Sequence, residues 1–238
     1  MKSSKRVVIT GSEGSLGKIL QKELRGTVDL FCIDRVSDNK ETFILDIASD
    51  YEKFKSVLKN NDIIIHFAWD TLEDYPSENI VQKNKIMAEN VYRAAIESSI
   101  SRVIVASSVH VNDYSKVPIG TYLDPKAESW PDSPYGATKI YIEHLGRYYS
   151  RKYGLEVICI RFGGVNEKNE IRFNEDPLYD KVLLYKEDFV DLMRMCIAVE
   201  KVPGHFAIFY AVSNVKGRVH ALDNFLGWKP NSQKDEKY

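Results

Sequence analysis

Tyr135 and Lys139 stand four residues apart in Ser133-Pro134-Tyr135-Gly136-Ala137-Thr138-Lys139, a spacing that puts a phenol and an ammonium on one face of a helix. Ser133 suits the N-cap and Pro134 the first helical position, so a helix is predicted to begin here. A free tyrosine titrates at about pH 10 and is a poor base at neutrality. A nearby ammonium and the positive helix end both favour the phenolate. Lowering its pKa by about three units needs roughly 4 kcal/mol of differential interaction. Upstream, the apolar run from Arg102 to Ala106 ends in Ser107-Ser108. A serine at the carboxyl end of a parallel strand can hold an oxygen that exchanges its proton with Tyr135. The chemistry such a set could perform is proton transfer at a carbinol, although Tyr-x-x-x-Lys on a helix is common by chance.

A second constellation lies at the amino end. Gly11-Ser12-Glu13-Gly14-Ser15-Leu16-Gly17 follows a strand-like run and leads directly into a helical pattern. Glycines let a backbone turn sharply and approach a pyrophosphate, and the helix N-terminus adds N–H donors and a favourable dipole. The spacing is Gly-x-x-Gly-x-x-Gly, one residue longer than the Gly-x-Gly-x-x-Gly fingerprint. Asp34 ends the second strand-like run, where a carboxylate accepts hydrogen bonds from an adenosine ribose and repels a 2′-phosphate. NAD is therefore expected over NADP, tempered by Arg35, since an arginine can also meet a phosphate. Asp46, in Leu45-Asp46-Ile47, is either an adenine contact or a helix cap or surface acid.

Elements must carry these groups. Runs at Arg6 to Thr10, Asp29 to Ile33, Asp62 to His66, Arg102 to Ser107 and Leu155 to Arg161 read as buried strands. Helical patterns fall between them, near Ser15 to Leu24, Tyr51 to Leu58, Ser77 to Ser98 and Pro134 to Tyr153. The alternation predicts an α/β fold of Rossmann type, a doubly wound parallel sheet with helices on both faces. Phe162 to Asp180 reads as a long loop, Lys186 to Val199 as a helix, and His205 to Ala211 as one more strand. Residues 1–161 are expected to form a dinucleotide-binding domain with the catalytic groups. Residues 162–238 are expected to form a small substrate-binding segment packed on it as one compact unit.

Composition narrows the classes. The 238 residues are 44% hydrophobic and 28% charged, with 33 Lys and Arg against 34 Asp and Glu for a net charge of −1. That balance gives no reason to expect nucleic acid or an acidic membrane as partner. No apolar run has membrane-helix length, and no signal peptide is visible after Met-Lys-Ser-Ser-Lys-Arg. Cys32, Cys159 and Cys196 lie in apolar runs without Cys-x-x-Cys spacing, so reduced core thiols of a cytoplasmic protein are expected, and no metal site.

These residues together resemble the extended short-chain dehydrogenases/reductases, the NAD-dependent epimerase/dehydratase family, over Arg6 to about Val165. His66 and Ala68 after the fourth strand, and Asn84 to Asn90 on the next helix, carry the likeness further. The resemblance implies that Ser108 is the catalytic serine, Tyr135 the base, and Lys139 its activator and a nicotinamide-ribose ligand. It implies a coenzyme site of Gly11, Ser15, Leu16, Gly17, Asp34, Asp46, Ile47, Ala68, Asn84, Ala106, Tyr135 and Lys139. Asn84 on its otherwise apolar line is either part of the active-site helix or a satisfied core asparagine. Only 77 residues follow Arg161, little room for the domain with which sugar-nucleotide epimerases grip their substrate.

Ser107-Ser108-Val109-His110, Pro131 to Gly136 and Asn224 to Pro230 are similar to uronate dehydrogenases, which oxidise the anomeric hydroxyl of a hexuronate with NAD; related archaeal enzymes act on neutral aldoses. That likeness implies substrate contacts from Thr71, Ser108, His110 and Tyr135, with Arg172 as a carboxylate clamp or a solvated loop arginine. Val109 and Gly164 depart from the pattern, standing where an asparagine and a serine are expected. A homodimer through the helices Ser77 to Ser98 and Pro134 to Tyr153 is also implied. An epimerase or dehydratase with a reduced substrate domain, and a non-catalytic dinucleotide-binding regulator, stay open.

Overall fold

The computed structural model describes residues 6–60, 62–70, 78–118, 120–174 and 176–231, with the side chains of 78 and 79 outside the description. Seven strands form one sheet: β1 (Arg6–Thr10), β2 (Asp29–Asp34), β3 (Thr42–Ile44), β4 (Ile63–His66), β5 (Arg102–Ser108), β6 (Glu156–Phe162) and β7 (Phe206–Ala211). Their order is β3-β2-β1-β4-β5-β6-β7 and every pairing is parallel. Succession reverses direction between β1 and β4. The carboxyl ends of neighbouring strands diverge there into a crevice.

Helices cover both faces because consecutive strand residues point to opposite sides. Ile63 and Ile65 of β4 pack with α1 (Ser15–Leu24) and α6 (Lys186–Ala198), through Leu20, Leu24, Phe189 and Leu192. Ile64 packs the other way, with α2 (Tyr51–Val57), α3 (Glu78–Glu97) and α4 (Pro134–Tyr153), through Phe54, Val91, Tyr92 and Ile142. A one-turn helix, α5 (Tyr179–Val182), interrupts the segment expected to be loop. β3 is only three residues long, too short to show strand periodicity in the sequence.

The chain after residue 161 is tied into this sheet. β7 extends it beside β6, and Arg102 at the start of β5 is fully buried beneath the C-terminal end of α6. Its guanidinium donates to the carbonyls of Cys196 at 2.9 Å and Val199 at 2.8 Å, and pairs with Glu156. Those carbonyls have no helical donor, so the arginine satisfies them and meets the negative helix end. Cys32, Cys159 and Cys196 are buried and unpaired. No helix among the described residues is long and apolar enough to cross a membrane.

Two buried histidines make the fold acid-sensitive. Burial holds His66 at about 3, helped by the Lys139 charge. Burial does the same for His220, again to about 3, with Arg218 adding. Neither nitrogen of His220 has a hydrogen-bond partner among the described residues. Unfolded histidine titrates at about 6.5, so between these values the unfolded chain binds more protons. Stability from both groups is intact above pH 6.5 and is lost as pH falls toward 3, by about 1.4 kcal/mol per pH unit for each. Urea unfolding across that window should therefore give a shallower acid slope for His220→Phe than for the parent. Parallel slopes would remove His220 as a cause.

Candidate active site

The glycine turn lies where β1 leaves the sheet. Gly11 has φ +75°, and its N–H donates to Ile33 O at 2.9 Å. A Cβ on Gly11 would overlap the backbone of Ala68 after β4, and one on Gly17 would overlap Gly11 O. The turn thus needs glycine both for conformation and for close approach. Gly14 caps α1 without any side-chain acceptor, so the first-turn N–H groups keep their capacity for an anion.

Two cavities open above this turn. The larger, about 430 Å³, is lined by Gly11, Gly14, Ser15, Leu16, Gly17, Trp69, Ala106, Ser108, His110, Tyr135 and Lys139, among others. The smaller, about 250 Å³, takes in Asp34, Arg35, Asp46, Ile47, Ala68 and Asp70. Gly11, Gly14, Phe67 and Trp69 line both, so the two form one groove.

At the smaller end, Asp34 Oδ2 accepts from Glu13 N at 2.8 Å. Asp46 accepts from Ala48 N and pairs with Lys83 at 2.9 Å. Burial pushes its carboxyl up, but those partners outweigh burial and hold it below the usual range. Arg35 is paired with Asp70 at 2.6 Å. Asn84 lines neither cavity. Its Oδ1 accepts from Asp70 N at 2.8 Å and its Nδ2 donates to Asp70 O at 3.0 Å, so both ends of the amide clamp the segment after β4. The buried asparagine of the apolar line is a satisfied core residue that positions Asp70.

At the larger end α4 begins as its sequence predicts, with Ser133 Oγ accepting from Gly136 N and Pro134 in the first turn. Tyr135 faces the cavity together with Ser108, which ends β5, and the Ser108 hydroxyl favours its phenolate. Lys139 donates to Ala106 O at 2.9 Å, with Nζ 4.1 Å from the Trp69 ring centroid and 5.5 Å from that of Tyr135. His110 faces Tyr135 edge-on, and its Nδ1 pairs with Asp132 at 2.8 Å.

The expected depressed phenol is not what the protein sets up. Burial pushes Tyr135 up to about 12 although Ser108 pulls the other way, and burial pulls Lys139 down to about 7 despite the charge of Glu143. The ammonium shares the helix face with the phenol, but for both groups burial outweighs the neighbouring interactions that favour the charged form.

The chain after β6 closes the opposite wall with Gly163, Gly164, Asp176, Tyr179 and Val182. A Cβ on Gly164 would overlap the Tyr179 ring, so the glycine standing where a serine was expected makes room for that phenol. Val109 is buried in a small apolar cluster with Val111 and Tyr114. Arg172 is exposed and is not part of the cavity lining, contrary to the expected clamp. Thr71 lies outside the described residues. Trp69, Asp176 and Tyr179 are lining residues that sequence reasoning missed. Only the anomalous Gly164 pointed toward them.

The model of the NAD dependent epimerase/dehydratase family matches residues 7–175. The uronate dehydrogenase of Agrobacterium fabrum is 31% identical over 239 residues, 95% of this chain and 84% of that protein. The L-arabinose 1-dehydrogenase (NAD(P)(+)) of Haloferax volcanii is 30% identical over 182 residues, 72% of this chain and 71% of its own. The crystal structure of uronate dehydrogenase from Agrobacterium tumefaciens superposes with a TM-score of 0.81 at 28% identity, covering 96% of this chain and 85% of that one.

The Gly164–Tyr179 packing is testable on its own. Gly164→Ala should destabilise by about 1–3 kcal/mol through overpacking. In a Tyr179→Ala background the same change should cost clearly less. Urea unfolding of the four proteins measures the coupling, and strictly additive values would refute the packing.

Proposed function

This chain belongs to the NAD dependent epimerase/dehydratase family, and we propose that within it the protein is a dehydrogenase oxidising a hydroxyl of a small sugar or sugar acid with NAD. One observation carries the reading: Tyr135, Ser108 and Lys139 face the same cavity as the uncapped N-terminus of α1. The glycine turn fits a dinucleotide, since side chains at 11 and 17 would fill the space it needs. Gly11, Ser15, Leu16 and Gly17 would hold the pyrophosphate, Asp34 the adenosine ribose, Asp46 and Ile47 the adenine side, and Ala68, Ala106 and Lys139 the nicotinamide half. When bound, the nicotinamide supplies a hydride acceptor at C4.

In this reading Ser108 holds the substrate oxygen and Tyr135 receives its proton as the C–H hydride departs. For that step Tyr135 acts as its phenolate, having released its own proton to solvent beforehand, and the Lys139 ammonium stabilises this phenolate until the substrate proton arrives. Residues up to 161 carry the coenzyme side and the wall from Gly163 to Val182 the substrate side. A preference for NAD over NADP is supported by Asp34, a carboxylate in the smaller cavity that would repel a 2′-phosphate, and by the pairing of Arg35 with Asp70. Buried, unpaired thiols support a cytosolic setting. Exposed Tyr148 and Tyr153 on α4 support association of two copies through α3 and α4.

Purified protein given NAD and a panel of glucuronate, galacturonate, glucose, galactose and arabinose should form NADH. Tyr135→Phe should cut turnover by about 100- to 10,000-fold while NAD binding persists; normal turnover in that variant would sink the assignment. Asp34→Ala should shift the NAD-to-NADP preference by about tenfold or more toward NADP. An unchanged ratio would place discrimination elsewhere.

A further inference from the structure

The substrate wall carries an acid where a sugar-acid site needs a cation. Asp176 lines the same cavity as Tyr179, Ser108, His110 and Tyr135, and its carbonyl accepts from Tyr179 N at 3.0 Å. Its carboxylate is held by two donors: Leu178 N at 2.7 Å on Oδ1 and the Tyr114 hydroxyl on Oδ2. Burial and the Asp176 charge push the Tyr114 phenol well above its ordinary value, so this hydroxyl stays a donor. A carboxylate has about four acceptor positions, which leaves Asp176 able to accept further hydrogen bonds from the cavity.

The basic groups of the same cavity already have partners. Among the described residues its basic lining consists of Lys139, donating to Ala106 O, and His110, whose Nδ1 meets Asp132. Arg172 lies outside the lining. The Tyr179 ring and hydroxyl fill the space that a side chain on Gly164 would take, and the hydroxyl accepts from Asn166 Nδ2 at 3.4 Å.

We infer that Asp176, with Tyr179 beside it, is the substrate-selecting acid of this site, and that the preferred substrate is a neutral sugar whose hydroxyls donate to it. Sugar O–H groups form charge-assisted hydrogen bonds to a carboxylate, whereas a uronate would bring a second carboxylate against the first in a partly desolvated wall. The inference rests on the proposed dehydrogenase reading and deepens it.

Steady-state kinetics with NAD would be compared for galactose, glucose and arabinose against galacturonate and glucuronate, in the parent, Asp176→Asn and Arg172→Ala. The parent should favour the best neutral sugar over either acid by about tenfold or more in kcat/KM. Asp176→Asn should raise KM for neutral sugars about tenfold with kcat nearly kept, and narrow their advantage over the acids. Arg172→Ala should leave the neutral-to-acid ratio unchanged. A parent that prefers uronates, or a folded Asp176→Asn protein with unchanged KM, overturns the inference while leaving the dehydrogenase standing. If Asp176→Asn does not fold, the parent ratio decides alone. NADH formation with none of the five sugars overturns both.

Discussion

Ser108 and Tyr135 can meet only if α4 sits in one register against β5, and a buried ion pair sets that register. Glu143 lies one turn beyond Lys139 on α4, and Arg161 of β6 grips it with Nε at 2.8 Å and Nη2 at 2.9 Å. Ser107, the neighbour of Ser108, donates to the same carboxylate. Arg161 also reaches Tyr210 of β7 at 3.1 Å. One carboxylate therefore connects the helix bearing the phenol and the ammonium to three adjacent strands. Such a pair adds little net stability over an apolar contact, but breaking it strands a buried charge at a cost of about 3–5 kcal/mol. Its value lies in excluding neighbouring registers of α4.

The same region shows desolvation working in opposite directions on two groups. Burial raises the Tyr135 phenol and lowers the Lys139 ammonium, so both neutral forms gain and the two pKa values move apart. A site in that condition is sensitive to any added positive charge, which favours phenolate without requiring a strong base in the resting protein. Trp69 contributes by covering Lys139 with a ring face, a contact that substitutes for part of the lost hydration.

What the sequence discloses is what local spacing encodes. The glycine turn, the Tyr135–Lys139 face, the N-cap at Ser133 and the strand bearing Ser107 and Ser108 are all short-range patterns, and the structure brings them to one groove. The parallel α/β fold follows from hydrophobic periodicity in the same way. What escapes is set by contacts distant in the chain. Asn84 is visibly a buried polar residue, yet only the folded loop shows Asp70 consuming its amide. Arg172 has the expected place along the chain, but position in the sequence does not specify whether a loop residue lines a cavity, and it is absent from this lining. Gly164 looks like a missing hydroxyl until the bridge between Gly164 and Leu183 folds the Tyr179 ring onto it. The spacing of Tyr135 and Lys139 likewise fixes a shared face but not the burial that dominates both groups, nor the Ala106 carbonyl that accepts from the ammonium.

Arg102 imposes an order on biogenesis. Its carbonyl partners at Cys196 and Val199 lie 94 and 97 residues further along the chain, while its strand occupies the middle of the sheet. As the chain emerges from the ribosome, β1, β4 and β5 can pair long before α6 exists, but this guanidinium then has only water or Glu156 to satisfy it. Until α6 is made, the contacts that bury this guanidinium in the folded protein are incomplete. The burial of a strand inside the sheet therefore depends on a helix from the last quarter of the chain.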